Sequence, residues 1–152
     1  MVKVYTDGAS SGNPGPGGYG IVMIAPKFNL VKEFSQGFRR TTNNRMELLA
    51  VIVALEKLKV ANTEVTIYSD SSYVVNAVEK KWLDNWIKKG FKGKKNEDLW
   101  RRYKKVAVNH SVKLSWVKGH AGHPENERCD QLATAAAASS DLLVDEGYEA
   151  IN

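Results

Sequence analysis

Residues 44–59 constrain the fold of this 152-residue chain more than any other stretch. Read as a helix, Asn44 to Lys59 carries apolar residues around most of its circumference, with an unbroken apolar run from Leu48 to Leu55. A surface helix needs only one apolar stripe. A helix that is apolar nearly all round must be covered nearly all round, so this one is expected to be the buried helix. Asn44 is expected to cap it, with Glu47 three residues later as in a capping box. Eight apolar residues fall well short of the roughly 20 that span a bilayer, so the chain is not expected in a membrane. The length fits one domain that can bury a core without disulfides. Cys129 is the only cysteine. It excludes an internal disulfide and thiolate-rich metal sites, and reads as a small buried side chain. The start of the chain, Met-Val-Lys-Val-Tyr-Thr-Asp, lacks the apolar core and cleavage site of a secretory signal, so a cytoplasmic location is expected.

The elements around that helix follow from local patterning. Val2 and Val4 alternate with polar neighbours in a strand that ends at Thr6-Asp7-Gly8. Residues 8–18 are rich in glycine and proline and are expected to lie outside regular structure. Residues 19–24 and 30–36 read as two strands joined by Pro26 to Asn29, and short connections make these first three strands antiparallel. A strand at 65–69 leads into a helix at 71–79 capped by the Asp70 region, and a further helix is expected at about 96–108. A strand at 112–117, a polar loop at 118–124 and a helix at 125–138 complete residues 1–138 as one domain. Residues 139–152 read as a loosely ordered tail. The predicted class is α/β, a mixed five-stranded sheet with three antiparallel and then two parallel strands and helices on both faces.

Charge is unevenly spread. From Lys80 to Lys105 there are eleven Lys or Arg against three acids, whereas the chain as a whole carries a net charge of +5. Trp82, Trp86, Phe91, Trp100 and Tyr103 interleave with these cations. Cations that displace counterions from phosphates, beside aromatics that stack on sugars or bases, suit a nucleic acid. The alternative is a solvated lysine-rich face whose tryptophans anchor it to the core.

Asp7 and Asp70 both fall at strand carboxyl ends, where ligand sites of open α/β sheets lie. If the first and fourth strands are neighbours, the two carboxylates meet. Glu47 near the start of the buried helix and Asp130 in the last helix would complete an oxygen-only set suited to Mg²⁺. Each also has a plain structural role open to it: Asp7 in a turn, Asp70 at a helix cap, Glu47 in the capping box, Asp130 as an early-helix acid.

The segments Tyr-Thr-Asp-Gly (5–8), Gly-Asn-Pro-Gly-Pro-Gly-Gly-Tyr-Gly (12–20), Thr-Thr-Asn-Asn-Arg-Met-Glu-Leu (41–48), Asp-Ser (70–71) and Trp-Val-Lys-Gly-His-Ala-Gly-His-Pro-Glu-Asn-Glu-Arg-Cys-Asp (116–130) resemble the bacterial type 1 ribonuclease H family. The resemblance runs along nearly the whole chain, in order and at the family's spacing. It implies the ribonuclease H-like fold and hydrolysis of the RNA strand of RNA–DNA hybrids, with 5′-phosphate and 3′-hydroxyl products. By the same resemblance Asp7, Glu47, Asp70 and Asp130 hold two Mg²⁺ ions, with Mn²⁺ as a substitute. His120 corresponds to a loop histidine that assists proton movement or release, and Glu127 to a position near the second metal.

Resemblance also places Ser10, Gly12, Asn13 and Ser72 on the RNA strand, where reading the 2′-hydroxyl separates RNA from DNA. Asn43 and Asn44 resemble minor-groove contacts, and Arg40, Thr42 and Asn96 a pocket for a DNA phosphate. Trp82 corresponds to a residue packed on a deoxyribose. Residues 80–95, with Trp86, Lys88 and Lys89, resemble a basic handle that increases hybrid affinity, here shortened and with Phe91 where tryptophan is frequent. The expected partner is the hybrid duplex, met by a monomer needing neither a protein partner nor a membrane. The competing readings are a non-catalytic hybrid-binding domain, which predicts a missing carboxylate, and another nuclease on the same fold.

Overall fold

The computed structural model describes residues 1–119 and 122–150. Strands β1 (Val2–Ser10), β2 (Gly15–Ala25) and β3 (Leu30–Thr41) form an antiparallel meander. Helix α1 (Asn43–Glu56) leads to β4 (Glu64–Ser69), then α2 (Ser72–Glu79), α3 (Trp82–Lys88) and α4 (Glu97–Ala107). After β5 (Ser111–Trp116) come α5 (Pro124–Ala137), a short β6 (Leu142–Leu143) and α6 (Glu146–Glu149). The sheet order is β5-β4-β1-β2-β3-β6, with β1, β4 and β5 parallel to one another. The first and fourth strands are therefore neighbours, as the carboxylate argument required.

Helix α1 is buried from Arg45 to Leu55, as its all-round apolar sequence dictates. It packs on β1 and β2, and α4 and α2 cover it from outside. Truncating a fully buried residue such as Leu48 or Ile52 to Ala is expected to cost about 2–5 kcal/mol. Helix α5 lies across β1, β2 and β3 on the opposite face. Its close approach depends on Gly18 and Gly20 of β2: a Cβ at Gly18 would lie 2.7 Å from the Ala133 carbonyl oxygen.

Several local expectations are corrected. The glycine-proline stretch is not wholly irregular: β1 continues to Ser10 and β2 begins at Gly15, with a register shift between Gly15 and Gly17. Pairing across the sheet supplies hydrogen bonds that local propensity does not foresee. The cap of α1 is Thr42, whose hydroxyl accepts from the Arg45 amide at 3.3 Å, while Asn43 and Asn44 lie inside the helix. No Asn44–Glu47 capping box forms. The basic segment contains the short helix α3, entered through Lys81 in a left-handed conformation; its sequence signal is the helical spacing of Trp82, Leu83, Trp86 and Ile87.

The largest difference lies after residue 138. The segment expected to be a loose tail pairs Leu142 and Leu143 with Gly37 and Phe38, which makes the sheet six-stranded instead of five. Asp145 is buried, caps α6 and bonds Thr41 Oγ1 at 2.7 Å. Its partner, the buried Arg45, lies a hundred residues earlier, a separation across which sequence patterning carries no signal. Among the described residues no helix is long and apolar enough to cross a membrane.

Candidate active site

The parallel pairing of β1 with β4 sets Tyr5 beside Tyr68, and their rings stack at 4.9 Å. Two residues further on stand Asp7, within β1, and Asp70, just past the end of β4. Because side chains repeat with a period of two, the register that stacks the tyrosines also brings these carboxylates together. Glu47 arrives from α1. Gly8 makes that possible, since a Cβ there would collide with the Glu47 backbone nitrogen. One carboxylate oxygen from each of Asp7, Glu47 and Asp70 lies within 4.8 Å of the other two.

The plain structural roles open to three of these acids are not the ones they fill. Asp7 lies within β1, paired with Gly20, and accepts the Gly8 amide at 2.9 Å. The cap of α2 is Ser71, whose hydroxyl accepts from the Val74 amide at 3.2 Å, so Asp70 is free of that duty. Glu47 caps nothing and is only 5% exposed. Among the described residues, the ion pairs use other carboxylates, and none neutralises this trio.

The electrostatic result is a strained anionic cluster. Burial, then the charge of Asp70 and more weakly that of Asp130, push the Asp7 carboxyl up to about 7. Burial and the charges of Asp7 and Asp70 hold Glu47 well above the usual carboxylate range. Glu47 Oε1 and Asp70 Oδ1 are buried without a hydrogen-bond partner. Buried acceptors are ordinarily satisfied, and three clustered carboxylates with unpartnered oxygens fit a hard divalent cation bound through oxygen.

The surroundings fix the cluster in place. Trp116 Nε1 donates to the Asp70 carbonyl oxygen at 3.1 Å. Gly119 packs on the Asp70 carboxylate, where a Cβ would lie 2.7 Å from Oδ2. Asp130, in α5, is near enough to act on Asp7 through its charge but does not join the group of three. Glu127 is exposed one turn earlier. His120 lies outside the described residues.

The other sequence-derived candidates fall on the glycine-proline loop, the starts of α1, α2 and α4, the end of β3 and the basic segment. Ser10 ends β1, Gly12 has φ +88°, and Asn13 Oδ1 accepts the Asn43 amide at 3.0 Å. The glycine-proline loop is thereby tied to the start of α1, beside the exposed Asn43 and Asn44. Ser72 is exposed in the first turn of α2, and Arg40 is exposed near the end of β3. Thr42 and Asn96 both line a cleft of about 500 Å³, with Asn44, Lys94 and Lys95.

In the basic segment, Trp82 is 43% exposed with the Lys80 ammonium 5.6 Å from its ring centre. Trp86 is half-buried against Tyr73 and Trp100, so it anchors the segment to the core. Lys88 and Lys89 are exposed at the end of α3. Phe91 is buried beneath the Arg101 guanidinium.

Arg45 was given no role by its sequence. A signal did exist: the one cation of a helix that is buried nearly all round must be paired. Its guanidinium bonds Asp98 at 2.7 and 2.8 Å and Asp145 at 2.8 and 2.9 Å.

Comparison with known proteins agrees with this geometry. The family profile described as RNase H matches residues 1–138. A ribonuclease H of Desulforamulus reducens is 58% identical over 149 residues, covering 95% of this chain and 92% of that protein. One of Shewanella sp. strain ANA-3 is 54% identical over 154 residues, covering 98% and 95%. Among solved structures, LC9-RNase H1, described as a type 1 RNase H with the type 2 active-site motif, superposes with a TM-score of 0.78 at 33% identity, over 99% of this chain and 79% of that one. LC11-RNase H1, solved in complex with an RNA/DNA hybrid, gives 0.66 at 26% identity over the full length of both chains. With its sheet order, its carboxylate cluster and this breadth of similarity, the chain belongs to the ribonuclease H family.

Proposed function

We propose that this protein is a divalent-metal-dependent endonuclease that hydrolyses the RNA strand of RNA–DNA hybrids and leaves 5′-phosphate and 3′-hydroxyl ends. The observation that carries the reading is the uncompensated cluster of Asp7, Glu47 and Asp70, with one carboxylate oxygen from each within 4.8 Å of the other two, in a chain of the ribonuclease H family.

Asp7, Glu47, Asp70 and Asp130 would hold two Mg²⁺ ions, with Mn²⁺ as a substitute. Bound there, the cations supply water activation and charge neutralisation at the scissile phosphate. The protein's own contribution is geometric. The β1–β4 register and the Trp116–Asp70 hydrogen bond hold Asp7 within β1 and Asp70 just past the end of β4, and α1 delivers the third carboxylate. His120 handles a proton or assists release.

Ser10, Gly12, Asn13 and Ser72, with the Glu47 carboxylate, read the 2′-hydroxyls of the RNA strand. The absence of a side chain at Gly12 lets backbone approach a sugar closely. Asn43 and Asn44 reach the minor groove, and Arg40, Thr42 and Asn96 hold a phosphate of the DNA strand. Trp82 packs on a deoxyribose, while Trp86 sets the position of Lys88 and Lys89 for phosphate contact. The enzyme acts in the cytoplasm as a monomer without an obligatory protein or membrane partner.

The test is a strand-labelled hybrid incubated in Mg²⁺ with and without chelator, beside duplex DNA, single-stranded RNA and double-stranded RNA. Chelator-sensitive cutting of the hybrid RNA alone is expected. Comparable cleavage of double-stranded RNA at the same enzyme concentration would overturn the assignment.

A further inference from the structure

Asn96 stands at the N-terminus of α4, where an asparagine side chain ordinarily accepts from an amide of its own helix. It does not do so here. The backbone is left-handed, at φ +67°, and the side chain makes no cap hydrogen bond. The amide is instead gripped at both ends. Its Oδ1 accepts from Arg45 Nη1 at 3.3 Å, and its Nδ2 donates to the Tyr73 hydroxyl at 3.1 Å.

These two partners leave one orientation. A guanidinium has donors only, so Arg45 can take only the oxygen end of the amide. The Tyr73 oxygen, which also accepts from Trp100 Nε1 at 2.8 Å, receives the nitrogen end. An asparagine amide carries two N–H donors. One is used by Tyr73, and the other remains in the residue that lines the cleft with Thr42, Lys94 and Lys95. With the amide turned over, its carbonyl would occupy that place and repel a phosphate.

Arg45 is itself immobilised. Its five N–H donors all have partners: two contacts to Asp98, two to Asp145 and the one to Asn96. Asp145 comes from the C-terminal segment, so that segment holds the guanidinium that sets the Asn96 amide.

We propose that Arg45 and Tyr73 are positioning residues for substrate: they lock the Asn96 amide so that its remaining N–H meets a backbone phosphate of the DNA strand, with Asp145 holding Arg45 in place. The proposal rests on the reading of the Thr42–Asn96 cleft as a phosphate site.

Steady-state kinetics on a hybrid in Mg²⁺ tests it with Tyr73→Phe, Asn96→Ala, their double variant and Asn96→Asp. Tyr73→Phe keeps the ring and removes only the hydroxyl. It is expected to raise KM about fivefold, the worth of one neutral hydrogen bond, with kcat within about twofold of the parent. In the Asn96→Ala background the same change should add nothing to KM, because the group it orients is gone. Asn96→Asp still accepts from Arg45 but offers no N–H to a phosphate. It should raise KM at least as far as Asn96→Ala while unfolding at the parent's urea midpoint.

An equal rise in KM from Tyr73→Phe in both backgrounds would overturn the positioning role. So would an unchanged KM in Asn96→Asp when Asn96→Ala raises it. If Asn96→Ala itself leaves KM unchanged, the phosphate-site reading fails and takes the proposal with it.

Discussion

Arg45 and Asp145, a hundred residues apart, form a buried ion pair with Nε to Oδ2 at 2.8 Å and Nη2 to Oδ1 at 2.9 Å. Removing one member of such a pair leaves the other charge desolvated without its partner, typically at a cost of about 3–5 kcal/mol. Asp98 still faces Arg45 and tempers that loss. Asp145→Ala is therefore expected to destabilise the protein by about 3 kcal/mol in urea denaturation and to release residues 139–150 to protease. A change below about 1 kcal/mol would show that the C-terminal segment is not held by this pair.

Asp70 is expected to matter for catalysis and to be a liability for stability. Its Oδ1 is buried without a hydrogen bond, and Ser71 caps α2 in its place. Asp70→Asn should abolish Mg²⁺-dependent cleavage. Chelator-treated Asp70→Asn should be as stable as the parent or more so, by about 1 kcal/mol, since one like charge has left the cluster. Retained activity would remove this residue from the proposed site.

The same crowding predicts a pH dependence. Asp7 has a folded-state value raised to about 7, above its unfolded carboxylate range, and Glu47 is raised as well. A carboxyl with a raised folded value favours the folded state fully at low pH and loses that contribution as pH rises through the folded value. The metal-free protein should lose stability as pH rises from about 4, the unfolded carboxylate value, to about 7, the folded value of Asp7, in chemical denaturation. Asp7→Asn should flatten that slope. A parent slope unchanged by Asp7→Asn would place the titration elsewhere.

Lys88, Lys89, Lys92, Lys94 and Lys95 are all exposed, and the ion pairs among the described residues use other cations. Lys94 lies 5.4 Å from the Trp86 ring centre, which holds it near the cleft at Asn96. Replacing these lysines with Ala should weaken hybrid binding and lower the slope of log K against log salt by about one unit per lost phosphate contact. An unchanged slope would mean that the lysines serve only to solvate α3 and the segment after it.

What the sequence determined by itself is what short-range physics writes into it. The run Leu48 to Leu55 demands burial whatever surrounds it, and α1 is buried. Alternation and turn residues mark the first five strands, and strand-end positions mark Asp7 and Asp70 as possible neighbours. The tertiary structure decided what depends on pairing between distant segments. The β1–β4 register made Asp7, inside β1, and Asp70, past the end of β4, neighbours, and the missing Cβ of Gly8 let Glu47 join them. Pairing across the sheet drew part of the glycine-proline stretch into β1 and β2. The last segment is held as β6 and α6 by pairing with β3 and by the Asp145–Arg45 ion pair, contacts between residues a hundred or so positions apart. Local propensity decays within a few residues, whereas the cost of an unpaired buried charge is met wherever in the chain a partner exists.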